Sequence, residues 1–164
     1  MDQEIPKSAY HEAGHAVSAY IVGWSINSIK LEVEKDVLLK GVTSYDYGKD
    51  IFDSYENVNR RAICLLGGPI AQKLYEKDLK IDIDLLGPDG MVLREIQKFF
   101  LVNYGENFDI QEMIGITSNL LQINQNWQAV NAIVSELMKS KTYSIDKITF
   151  EEITKSYKIS RMNF

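Results

Sequence analysis

Histidine and cysteine are the scarce residues of this chain: two His and one Cys among 164 residues. The single Cys64 excludes an internal disulfide framework and fits a reducing cytoplasm, the expected location. Lys and Arg total 18 against 23 acidic residues, for a net charge of −5, and no basic block interrupts the pattern. That balance argues against nucleic acid as the main partner. No apolar run reaches the length of a membrane-spanning helix, so no membrane span is expected. The first residues (Met1, Asp2, Gln3, Glu4) carry no apolar signal-peptide core. With 45% apolar and 25% charged residues, the remaining profile is soluble and globular, of a size for one domain over residues 1–164.

Both histidines fall within one short stretch, Ala9-Tyr10-His11-Glu12-Ala13-Gly14-His15-Ala16-Val17. On an α-helix, residues four apart stand one above the other, so His11 and His15 project from one face about 40° apart. Glu12 follows about 60° from His15 on the side away from His11. This is HExxH, in which two His bind Zn²⁺ and the Glu is the general base of a metallopeptidase. Ala9, Tyr10, Ala13, Ala16, Val17 and Tyr20 form the opposite, apolar side, so the histidines are expected to face a cleft or another element. Gly14 costs a helix about 1 kcal/mol relative to Ala, which makes sense if another backbone approaches closely there. A structural zinc site is usually closed by four Cys or His ligands. With no third His and only Cys64 to draw on, the pair points to a catalytic centre instead.

Further along, residues 26–33 and 37–45 read as two strands of a hairpin, with Glu34, Lys35 and Asp36 at the turn. The hairpin either covers the helix or offers an edge to an extended peptide. Residues 47–55, with Gly48 and the aspartates Asp46, Asp50 and Asp53 in or beside them, read as a loop over the cleft. Helical spacing resumes from Asn57 and contains Leu66-Gly67-Gly68-Pro69-Ile70-Ala71, where two glycines and a proline imply close packing or a kink. Cys64, in the same apolar stretch, reads as a buried inert thiol.

Residues 78–90 read as a loop and 91–102 as a helix preceded by Asp89, whose plain role is an N-cap. A catalytic zinc site also needs a third protein ligand. With both histidines used, that ligand has to be a carboxylate; Asp89 is the candidate, and Asp82, Asp84 and Glu95 compete on spacing alone. Residues 110–139 read as one long or two shorter helices, with Trp127 as a core anchor. Thr149, Phe150, Glu151 and Glu152 resemble a capping box opening a terminal helix, and the basic residues 155–164 read as a solvated tail or oligomer contact.

With these residues in view, the chain resembles the proteolytic domain of FtsH-type ATP-dependent zinc metalloproteases. Residues 9–16 are similar to that family's signature nearly letter for letter. Residues 26–31 followed by Gly41-Val42-Thr43 resemble its strand and glycine-x-threonine element, Leu66-Gly67-Gly68 with Ala71 its glycine-pair helix, and Gly87-Pro88-Asp89 its ligand-bearing turn. The resemblance implies a mainly α fold with a small β-hairpin or sheet (α+β). It also implies zinc on His11, His15 and Asp89, with Glu12 polarising the metal-bound water. Three features depart from the family. Gln72 replaces an acidic residue after the glycine pair, so any supporting role of that carboxylate is lost. Gly90, Met91 and Val92 follow Asp89 in place of Leu and charged residues. No GxxxxGK[ST] motif or transmembrane helix accompanies the domain.

The expected function is a zinc-dependent metalloendopeptidase, ATP-independent as an isolated chain, that hydrolyses unfolded or exposed polypeptide. The alternative is a non-catalytic zinc-binding adaptor or regulatory domain on the same fold. A homo-oligomer and a separate ATPase partner both remain compatible with the sequence.

Overall fold

A computed structural model describes residues 4–47, 54–78 and 80–162. In order these form α1 (Glu4–Ile21), β1 (Ser25–Glu34), β2 (Val37–Asp46), α2 (Tyr55–Glu76), α3 (Pro88–Tyr104), α4 (Ile110–Gln122), α5 (Asn124–Lys139), β3 (Ser144–Asp146) and α6 (Lys147–Ser156), with a 3-10 turn at Ile83–Leu85. The architecture is mainly helical with one small antiparallel sheet of order β2-β1-β3. No helix among the described residues is long and apolar enough to cross a membrane.

The core is built around α1. Its apolar side, Ile5, Ala9, Ala13, Ala16 and Val17, is fully buried, and the helix packs against α2, α5 and both strands of the hairpin. Its polar side is buried too: Glu12, His15 and Ser18 are enclosed. Small side chains make this possible, because helix axes approach closely only where residues are small. A Cβ on Gly14 would lie 2.2 Å from the Gly67 carbonyl oxygen, and one on Gly67 would lie 2.7 Å from the Gly14 carbonyl oxygen. The glycines that weaken each helix alone let α1 and α2 cross backbone to backbone.

The helix ends follow ordinary capping chemistry. Ser54 accepts from Asn57 N at 3.2 Å and opens α2; Asp109 accepts from Glu112 N at 3.0 Å and opens α4. Pro88 stands in the first turn of α3, where a missing N–H leaves no helix bond unmade.

The structure differs from the sequence reading in several places. The helix expected at 91–102 begins at Pro88, because Gly87 is its cap residue, so Asp89 sits inside the first turn and is not the N-cap. Of the one long or two shorter helices expected over residues 110–139, the structure has two, broken at Ile123 with extended backbone and no glycine or proline. The last helix is opened by Asp146, which accepts from Thr149 N at 2.9 Å; the Thr149 capping box is therefore one turn too late. The tail keeps its basic side chains Lys155, Lys158 and Arg161 exposed, as a solvated tail would, but its backbone is docked through buried Ile159 and partly buried Met162. Met162 N donates to Ile21 O at 2.7 Å, and the Arg161 guanidinium lies 4.8 Å over the Tyr20 ring. The loop expected at 47–55 falls largely outside the described residues.

Candidate metal centre

Two turns of α1 and the first turn of α3 bring three ligand atoms together. His11 Nε2 and His15 Nε2 are 3.0 Å apart, and Asp89 Oδ2 lies 3.3 Å from each. Among the described residues, His11, His15 and Asp89 form a group that could hold a metal ion. The fit is geometric. Tetrahedral ligands on bonds of about 2.0–2.1 Å stand roughly 3.3 Å apart, close to the sides of this triangle. Among the described residues no fourth His, Cys, Asp or Glu joins the group.

Asp89 reaches the triangle because α3 starts hard against the preceding turn. A Cβ on Gly90 would lie 2.1 Å from Ile83 O, so the residue after Asp89 has to be glycine for the helix to seat there. The competing carboxylates are occupied elsewhere or face solvent. Asp82 Oδ1 accepts from Asp84 N at 3.0 Å, Asp84 pairs with Arg94, and Glu95 is exposed on α3.

The two imidazoles are oriented from behind, through their other nitrogens. A ring that ligates through Nε2 carries its proton on Nδ1 and donates it to an acceptor. For His15 the acceptor is the Cys64 carbonyl, 2.8 Å away. For His11 it is Gln72 Oε1 at 3.3 Å. The carboxylate that the resemblance would place here is absent, but the Gln72 amide oxygen stands where it can accept from the ring. Gly68 completes the fit from α2: a Cβ there would stand 2.4 Å from His15 Nε2.

The electrostatics agree with the geometry. Burial alone would lower the His15 imidazole, but its interactions with Asp89 and Cys64 outweigh burial and hold it well above its ordinary range. Burial would raise the Asp89 carboxyl; its hydrogen bonds with His11 and His15 instead hold it well below the usual carboxylate range. Both shifts mark a cluster built for charge complementarity, which a cation on the three ligand atoms would satisfy equally.

Glu12 is enclosed, 6% exposed, on the hairpin side of the same helix. Thr43 Oγ1 lies 2.7 Å from Glu12 Oε2 and 2.9 Å from Glu12 O, so one hydroxyl proton serves either acceptor. Gly41 makes room for the carboxylate, since a Cβ there would lie 2.4 Å from Glu12 Oε1. A cavity of about 300 Å³ opens beside His11, lined by Pro69, Gln72, Lys73, Asp82 and Leu86 among others. A larger groove between α5 and α6 contains none of the three ligands.

Sequence reasoning had singled out His11, Glu12, His15 and Asp89, and the structure gathers His11, His15 and Asp89 into one cluster. It did not assign roles to Thr43, Gly41 or the Cys64 carbonyl. A backbone carbonyl leaves no mark in a sequence, and the buried Cys64 thiol is not one of the three ligands. Set against known proteins, the chain matches no protein-family model, and no curated protein matches it. The class defined by fold and site is therefore a mainly helical domain with a candidate three-ligand metal centre.

Proposed function

We propose that this chain is a zinc-dependent metalloendopeptidase resembling the FtsH-type proteolytic domain. The observation that carries the proposal is the convergence of His11 Nε2, His15 Nε2 and Asp89 Oδ2, with a held carboxylate at Glu12 on the same helix. Two imidazoles and one carboxylate suit zinc, and three protein ligands with an open fourth position are the mark of a catalytic rather than a structural site. The same donor set serves non-haem iron. The buried Glu12 directly after a ligand histidine favours hydrolysis, where a positioned base is needed.

When bound, zinc supplies Lewis acidity and lowers the pKa of a coordinated water towards neutrality. The chain's own residues do the rest. His11, His15 and Asp89 hold the cation. Glu12 accepts a proton at its carboxylate as water attacks the scissile carbonyl, then returns it to the leaving amine. Thr43 holds that carboxylate on the hairpin side. Among the described residues β2 pairs only with β1, and its outer edge supports binding of an extended chain by backbone hydrogen bonds. That recognition suits unfolded or exposed polypeptide. Two departures favour the adaptor alternative, the lack of an ATPase motif and Gln72 in place of an acidic residue; at position 72 the amide oxygen still stands 3.3 Å from His11 Nδ1.

The test is Glu12→Gln, which keeps the shape of the side chain and removes the base. Hydrolysis of unfolded casein is expected to fall by about 10²- to 10⁴-fold, the usual worth of a general base, with zinc content unchanged. Casein digestion by this variant at the wild-type rate would rule out the mechanism. Metal analysis showing iron in place of zinc would rule out the assignment of the cation.

A further inference from the structure

We propose that Gln72 and Glu76 form a positioning relay that holds His11 in its metal-binding tautomer, with Glu76 fixing which end of the Gln72 amide faces the ring. This rests on the metal-centre reading given above and extends it to residues that do not touch the metal.

A neutral imidazole has one N–H and one lone pair. Ligation through Nε2 requires the proton on Nδ1 and an acceptor facing it. His15 meets a backbone carbonyl, which can only accept. His11 meets a side-chain amide, which is ambiguous: its oxygen accepts, but its nitrogen donates. Were the amide turned over, its NH₂ would face Nδ1 and favour a lone pair there. The proton would then sit on Nε2, at the atom that has to ligate.

Glu76 removes the ambiguity. It lies four residues after Gln72 on α2, one turn further along the same face. Gln72 Nε2 donates to Glu76 Oε1 at 3.2 Å, and an ionised carboxylate can only accept. The NH₂ end is therefore drawn to Glu76 and the oxygen is left to His11. Two ammonium groups keep that carboxylate charged: Lys73 Nζ at 3.2 Å and Lys7 Nζ, one turn before His11, at 3.7 Å. Burial would raise the Glu76 carboxyl, but the bonds from Gln72 and Lys73 outweigh it and hold it below the usual range. The relay runs from Glu76 to Gln72 to His11 and links α2 to α1. Both members are positioning residues, and neither is a ligand.

The test is zinc affinity by chelator competition in the full chain, with thermal denaturation of each zinc-free variant as a check on folding. Gln72→Leu removes the acceptor and is expected to weaken zinc binding by about 10- to 100-fold, the usual cost of losing an outer-shell partner. Gln72→Glu, an acceptor at either oxygen, is expected to restore affinity to near wild type. Glu76→Ala is expected to weaken binding by several-fold. It is further expected to raise the Nε2–H population of His11, read from nitrogen-15 shifts in the zinc-free protein above the imidazole titration. With only two histidines in the chain, that spectrum is directly assignable. If Gln72→Leu does not fold, Glu76→Ala, on the last turn of α2, carries the test alone. Zinc binding by wild type with unchanged affinity in the folded variants overturns the relay and leaves the metal centre standing. No stoichiometric zinc on the wild type overturns both.

Discussion

Helices α1 and α2 cross with their backbones in contact, whereas α3, which brings Asp89, lies over the site with much of its length in solvent. The crossing is fixed by Gly14 and Gly67, each too close to the opposite carbonyl oxygen to carry a side chain. By contrast α3 buries Gly90, Leu93, Ile96 and Phe100, while Met91, Leu101 and Val102 are exposed. Two ligands thus stand on the most tightly packed part of the molecule and the third on one of its lighter parts. The difference teaches that stability and metal binding are carried by separable regions. Damage to the crossing is expected to take both, and damage to α3 mainly the second.

The most severe break is Gly14→Ala. On helix propensity alone this change would stabilise α1 by about 1 kcal/mol. The new Cβ, however, would stand 2.2 Å from Gly67 O and 2.5 Å from the Ala71 Cβ, so the two helices have to move apart. Overpacking of this kind costs about 1–3 kcal/mol, and more where backbone is the obstacle. We expect the clash to win, with a net loss near 3 kcal/mol. For a chain of this size that is roughly 6–12 °C in Tm. Zinc affinity is expected to fall with it, because His15 is supported from α2. A thermal melt showing a higher Tm would mean that the crossing is not tight, and the comparison would collapse.

Asp89→Asn breaks the other side. The amide keeps the shape and an acceptor but removes the anionic ligand. Zinc affinity is expected to fall by more than the roughly 10- to 100-fold of an outer-shell loss. The zinc-free Tm is expected to fall less than it does in Gly14→Ala. Wild-type protein with free zinc at 100 times its Kd gains about 2.7 kcal/mol from ligand linkage, and Asp89→Asn is expected to lose most of that gain at the same zinc concentration. Calorimetric melts with and without zinc measure both quantities. An unchanged zinc-induced rise in Tm would remove Asp89 from the ligand set.

The same contrast accounts for what the sequence shows and what it hides. The crossing was legible because its residues break a local rule: glycines in the middle of apolar helices need a reason, and close backbone approach is one. HExxH was legible because its spacing is that of one helix face. The hairpin emerged within a residue or two, since alternating residues and a charged turn are local signals too. The site of Asp89 was less legible, because capping and ligation both place an aspartate near the start of a helix. Only the seat of α3 on Ile83, which Gly90 permits, separates the two roles. β3 is three residues long and exists by pairing with β1, so it has no period of its own. The docked tail is held by buried Ile159, by Met162 packed against the core, by one backbone bond to Ile21 and by one ring contact at Tyr20, long-range partners that no sequence pattern encodes. Long-range partners decide these features, whereas local chemistry decides the others.

The mildest prediction asks how stiff α3 is. Gly105 closes the helix with φ of 68° and donates its N–H to Leu101 O at 3.1 Å. Among the described residues, apart from its chain neighbours and its own helix backbone, no atom lies within 4 Å of where its Cβ would stand, so the cost of Gly105→Ala is conformational and not a clash. A left-handed position occupied by alanine costs about 1 kcal/mol, or roughly 2–4 °C in Tm. Asp89 lies at the opposite end of α3, beyond the buried contacts of Leu93, Ile96 and Phe100. If those contacts pin the helix independently of its C-terminal turn, Tm falls by this amount and zinc affinity stays within about twofold. A parallel loss of zinc affinity, measured by the same chelator competition, would show that α3 acts as a lever along its whole length. The third ligand would then depend on the far end of its helix, and the two regions would be less separable than their packing indicates.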